Sequence, residues 1–140
     1  MEIGRKVRLL LDANIALEII FDQEKVEEAK ALLTKTEEHQ FFISNYAFHT
    51  IGTILFGKKR QDGFGAFVKD FIIGSGVDVV SLSESEMDTV IKISKEYGLD
   101  FDDAYQYAVA EKNDLTLVSF DKDFDRTKRG RKTPAQVLQS

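Results

Sequence analysis

Asp12 follows the apolar run "VRLLL" directly, and Asn14 stands two positions on. Asp102 and Asp103 lie together in "YGLDFDDAYQY", and Ser119 and Asp121 fall in "LTLVSFDKDF". Carboxylates gathered a few ångströms apart repel, and each raises the pKa of the others unless a cation intervenes. A hard divalent ion, Mg²⁺ or Mn²⁺, resolves that conflict, since it takes oxygen ligands and keeps places for water and a phosphate oxygen. Such a site suits phosphodiester hydrolysis, in which a cation polarises phosphorus and stabilises the leaving oxygen. Asn14 and Ser119 add hydrogen bonds to the acids or to a water without adding charge.

Every one of these acids also has a local explanation. Asp12 is well placed to N-cap a helix over "ANIALEII". Asp100 and Asp103 have the spacing of an N-cap and the third helical residue, where an acid favours the helix dipole. "DKDFD" reads equally as a polar turn. Three coincidences at corresponding places are less convincing than one, and the site reading is preferred.

Those places are set by the elements around them. "VRLLL" (7–11), "FFI" (41–43), "VDVVSL" (77–82) and "LTLVS" (115–119) read as short buried parallel strands. Between them the apolar spacing turns helical. "EKVEEAKALLTKTEE" puts Val26, Ala29, Leu32 and Leu33 on one face. "SESEMDTVIKISKEYG" opens with Ser83 and Glu86 in capping-box spacing, buries Met87, Val90, Ile91 and Ile93, and stops at Gly98. "FDDAYQYAVAEKN" carries small residues suited to close packing on a sheet. Strands alternating with helices give an α/β fold with a central parallel sheet of four or five strands. In such a sheet ligands bind outside the carboxyl ends of the strands, which is where Asp12 and Asp121 fall and where Asp102 and Asp103 can reach.

The 140 residues fit one domain, 1–140, and the 43% hydrophobic content with eleven phenylalanines suits a packed core. With no cysteine, disulfides, thiolate metal sites and cysteine nucleophiles are excluded. No apolar run reaches the roughly 18–20 residues of a membrane span, so a soluble cytoplasmic protein with no membrane partner is expected. The net charge of −5 argues against indiscriminate coating of DNA. "RTKRGRK" (126–132) nevertheless gathers five basic residues. It reads equally as a solvated tail or as a local grip on phosphates, because screening confines the distant acids to about 8–10 Å. "KKRQDGFGAFVKDFIIGSG" (58–76) reads as a core-facing helix with loop glycines at its ends, ahead of a mobile clamp or dimer-forming arm.

Taken in order, "LLLDAN", "GLDFDDAYQYAVA" and "LVSFDKDF" resemble the PIN domain, a metal-dependent ribonuclease fold common in VapC-type toxins. The likeness runs from about Val7 to Leu138. By position, Asp12 matches the first family acid and Asn14 its polar companion. Asp103 and Ala104 match the aspartate-alanine helix start, Ser119 and Asp121 the hydroxyl and acid after the last strand, and Phe124 the aromatic that follows. The resemblance implies Asp12, Asp103 and Asp121 as ligands of Mg²⁺ or Mn²⁺, an RNA substrate, a small antitoxin partner and a homodimer.

One departure stands out. The family usually supplies a further acid from the helix after the second strand, but "FFISNYAFHTIGTILF" has none, and His49 or Thr50 holds the approximate place. Glu18, a helical turn beyond Asn14, is a further substitute. That gap keeps a second reading open, a PIN scaffold without catalysis that binds RNA or protein. Two other enzyme classes fit less well. A haloacid-dehalogenase-type phosphatase wants an aspartate where Asn14 stands, and a phosphoacceptor receiver wants paired acids after its first strand.

Overall fold

The computed structural model describes residues 6–139. Strand β1 (Val7–Leu11) leads into α1 (Ala13–Ile20) and α2 (Val26–Leu33), and β2 (His39–Ser44) into α3 (Asn45–Gly57) and α4 (Gln61–Phe67). A π-helical turn over Val68–Ile73 precedes β3 (Asp78–Val80), then α5 (Met87–Tyr97), α6 (Phe101–Asn113), β4 (Thr116–Val118) and α7 (Pro134–Leu138). Short 3₁₀ turns occupy Glu84–Glu86 and Lys122–Arg126.

The four strands form one parallel sheet in the order β3-β2-β1-β4. Helices cover both of its faces, which is why the central strand carries unbroken leucine instead of alternating with polar residues. Leu9 and Leu11 pack with Ile15, Leu32, Ile51 and Leu55 on the face covered by α1 to α4. Leu10 points the other way, into Val90, Ile93, Val109 and Phe124 beneath α5 and α6. The sheet reverses direction of winding beside β1, so its switch point lies between β1 and β4, the place where open α/β sheets hold ligands.

Several local readings of the sequence hold in detail. Glu86 accepts the backbone N–H of Ser83 at 2.8 Å, closing the capping box, and Gly98 ends α5 with a left-handed φ of 66°. Ile91 departs from expectation: it is half exposed while Ile93 is buried, because the buried stripe on α5 advances from Val90 by three residues. Gly63 and Gly65 lie inside α4 rather than at its ends, and the Phe64, Phe67 and Phe71 side chains still pack against the core.

The basic run 126–132 is not a solvated tail. The Lys132 N–H donates to Leu117 and its carbonyl accepts from Ser119, a parallel bridge along the outer edge of β4. Its arginines bond back to the domain, Arg126 and Arg129 from exposed positions. Arg126 donates to the Gly98 carbonyl at 3.0 Å, Arg129 pairs with Asp114 at 2.9 Å, and Arg131 pairs with Asp125 while donating to the Ser119 carbonyl.

Candidate active site

The local roles read from sequence are real, and they are what hold the acids in place. Asp12 is the N-cap of α1, Asp121 caps the 3₁₀ turn after β4, and Asp100 caps α6 by accepting the Asp103 N–H at 2.9 Å. Each cap sits where a strand or loop gives way to a helix, so the three helical N-termini converge on the carboxyl edge of the sheet. Their positive ends offset part of the repulsion among the acids.

Asp12 is the most constrained of them. Its Oδ1 accepts from the Ala13 N–H at 2.8 Å and from Gln106 Nε2 at 3.2 Å. Its Oδ2 accepts from the Ser119 hydroxyl at 2.7 Å and from Asn14 Nδ2 at 3.5 Å. Burial nevertheless raises its pKa above the usual carboxylate value, with the Asp121 charge adding to the rise. Asn14 is tied on both sides, donating to Ser119 Oγ at 3.2 Å and accepting from the Phe120 N–H. Asn14 and Ser119 thus lock α1 to the loop after β4.

Asp103 is half-buried and lies differently. Its carboxyl is pushed up to about 7, first by burial and then by the neighbouring charges of Asp121, Asp100, Asp12 and Asp123. Asp103, Asp121 and Asp123 can each place one oxygen within 4.8 Å of the others. All-oxygen donors at that spacing fit a hard divalent cation, whose charge would relieve the repulsion now borne by Asp103. Asp12, Asn14, Asp103 and Asp121 line one cleft of about 250 Å³, joined by Asp102, Tyr46 and Thr50. The neighbouring Asp102 carboxylate raises the pKa of the Tyr46 hydroxyl.

Sequence reasoning passed over two residues at the site, of which Gln106 lines the cleft. Asp123 stands with Asp103 and Asp121 in the acidic cluster and pairs with Arg126 at 2.9 Å, where the sequence singled out only Asp121 of "DKDFD". Gln106, 2% exposed, joins Asp12 to the Ser44 hydroxyl at the end of β2. A glutamine inside the stripe "YQYAVA" was the available signal, since a polar side chain on a buried helix face needs a partner.

The candidates for the missing acid separate cleanly. Thr50 lines the acidic cleft, its hydroxyl donating to the Tyr46 carbonyl, whereas His49 faces a neighbouring groove and approaches Thr53. Glu18 accepts the Lys25 N–H at 2.6 Å at the α1–α2 turn and does not line the cleft.

The sequence model of the PIN domain matches residues 9–130. This chain belongs to the PIN domain family. No curated protein matches it. Among solved structures, this PIN domain is similar to a toxin–antitoxin complex from Klebsiella pneumoniae, at 23% identity and a TM-score of 0.68, covering 90% of this chain and 97% of that one. The VapBC2 complex of Rickettsia felis, bound to a fragment of promoter DNA, gives a TM-score of 0.72 at 14% identity, with 89% and 96% covered. VapC20 of Mycobacterium tuberculosis, a toxin that cleaves the sarcin–ricin loop, gives 0.68 at 18%, with 84% and 92% covered. At these identities the likeness is one of fold. Among the described residues, no helix is long and apolar enough to cross a membrane.

Proposed function

We propose that this PIN domain is a metal-dependent endoribonuclease that acts as the toxin of a toxin–antitoxin pair. The observation that carries the reading is the acidic cluster at the switch point of the sheet, where burial and then the neighbouring charges push the Asp103 carboxyl up to about 7. PIN domains are generally nucleases, and the structural relatives named above include toxins.

In this reading Asp12, Asp103 and Asp121 hold Mg²⁺ or Mn²⁺, with Asp123 beside them. The bound cation supplies a Lewis acid that polarises the phosphate, acidifies water and offsets charge on the leaving oxygen. Water attacks phosphorus, the bond to the leaving ribose oxygen breaks, and that oxygen takes up a proton. Gln106, Ser119 and Asn14 are positioning residues, since each holds Asp12 by a hydrogen bond. An antitoxin and a second copy of the chain are the proposed protein partners, and the cytoplasm the proposed compartment.

The competing reading, a PIN scaffold without catalysis, draws on Thr50 standing in the cleft where the family brings an acid. Asp123 offers a carboxylate near Asp103 and Asp121 from a different element, though it pairs with Arg126 at 2.9 Å and does not line the cleft. Incubation of structured RNA with the purified chain decides between them. Cleavage should require added Mg²⁺ or Mn²⁺ and should disappear in Asp12→Asn and Asp103→Asn. Cleavage that survives EDTA, or that both variants retain, rules this mechanism out.

A further inference from the structure

Helix α3 stands between two hollows, and Tyr46 borders both. His49, Thr53 and Phe56 line a larger groove of about 720 Å³ between α3 and α4, in which the Phe56 ring lies 6.0 Å from Phe64. Tyr46, Ala47 and Thr50 line the acidic cleft. The cleft therefore has two unlike walls. Asp12, Asp103 and Asp121 come from the ends of β1 and β4 and the start of α6, whereas α3, with Leu17 of α1, brings no charge to the lining.

How many ions such a cleft seats follows from its acceptors. An octahedral Mg²⁺ or Mn²⁺ with bonds of about 2.1 Å keeps its ligand oxygens about 3–4 Å apart. Asp103, Asp121 and Asp123 bring oxygens within 4.8 Å of one another, close to the spread of one such ion. Among the described residues no second group of three comes together. Asp123 is shared with Arg126, but that pair is half exposed and yields readily. Two ions about 3.5–4 Å apart need a carboxylate to bridge them and ligands on the far side. Asp12 lacks the capacity to bridge. A carboxylate accepts about four hydrogen bonds, and Asp12 takes them from Ala13, Gln106, Ser119 and Asn14. Only the Asn14 bond, at 3.5 Å, is long enough to give way, which leaves one position for one ion.

The far side has little to give. The Thr50 hydroxyl donates to the Tyr46 carbonyl at 3.0 Å, and Ala47 and Leu17 are apolar. Asp102 stands there as a single exposed carboxylate beside the Tyr46 hydroxyl. We propose that the substrate-free cleft seats one divalent ion, and that Thr50 sets that number by placing a hydroxyl where α3 could carry a carboxylate. The inference rests on the nuclease reading for its ion. One ion on the acidic wall leaves α3 uncharged, so the scissile phosphate comes in against the cation without repulsion from that helix.

The test counts Mn²⁺ on the full chain by calorimetry and native mass spectrometry, and reads the bound ion by electron paramagnetic resonance. The wild-type chain should bind one Mn²⁺ and give the hyperfine-resolved signal of an isolated ion. Thr50→Glu, and the shorter Thr50→Asp, should bind two and broaden that signal by coupling between them. Thr53→Glu adds the same charge one turn along α3 but into the groove, from an exposed position, and should stay at one ion. Thr50→Ala should also stay at one, since the hydroxyl is no ligand. Two ions on the wild-type chain overturn the inference, and leave the nuclease reading standing where RNA is cleaved. A single ion on both Thr50→Glu and Thr50→Asp overturns it as well, as does a second ion on Thr53→Glu. A wild-type chain that binds no Mn²⁺ removes the nuclease reading and the inference with it.

Discussion

The cleft and the groove meet at Tyr46, yet they are built on opposite terms. The cleft is the smaller, and its polar groups are held by backbone and buried side chains, with Asp12 accepting hydrogen bonds from four separate residues. The groove is roomier and rests on ring packing along two helices, with Phe56 half in water. Size therefore does not mark the chemistry of this molecule. Chemistry that must place charges within tenths of an ångström sits where strand ends and caps over-determine each side chain.

That contrast gives an ordered set of expectations. Asp103→Asn removes a proposed cation ligand without changing shape, and RNA cleavage should fall on the order of a thousandfold in a discontinuous assay. Gln106→Leu leaves the ligands intact but unties Asp12 and strands the Ser44 hydroxyl, so kcat should fall about 10- to 100-fold. If Gln106→Leu left kcat unchanged, the cleft would be no more constrained than the groove.

The next expectation concerns pH. Asp12 and Asp103 both have folded pKa values above the unfolded value near 3.8, and Asp103 reaches about 7. A carboxyl of this kind holds its proton more tightly when folded, so the folded chain binds more protons between about pH 4 and pH 7. Stability therefore falls as pH rises through that window and levels off above it. Thermal unfolding in EDTA should give a higher Tm at pH 5 than at pH 7.5. Mn²⁺ should restore the Tm at the higher pH, and Asp103→Asn should flatten the slope. The smallest effect belongs to the groove: Phe56→Ala should change stability by under about 0.5 kcal/mol in urea titration, because the ring is already half hydrated. A larger loss would show that the Phe56 ring belongs to the core.

Much of this architecture was legible in the chain. "VRLLL" signalled a strand covered on both faces because no polar residue interrupts its leucines, and Asp12 follows where that strand leaves cover. The local and functional explanations of Asp12, Asp100, Asp103 and Asp121 proved compatible, since the caps themselves bring the carboxylates to one edge. Three features were not legible. Asp123 joins the cluster only through the tight 3₁₀ turn, which linear spacing does not specify. Ile91 and Ile93 are both apolar, and only the observed rotation of α5 tells which is buried. The basic run 126–132 follows the last strand, and nothing local indicates that Lys132 pairs along β4 and that its arginines bond to Gly98 and Ser119.

The central claim is that carboxylates from separate parts of the chain form one seat for a divalent ion. Isothermal calorimetry with Mn²⁺ at neutral pH addresses it most directly. The wild-type chain should bind Mn²⁺ saturably and release protons as it does so, and Asp103→Asn should abolish that heat. No binding heat in the wild-type chain, or an undiminished isotherm in Asp103→Asn, would contradict the account.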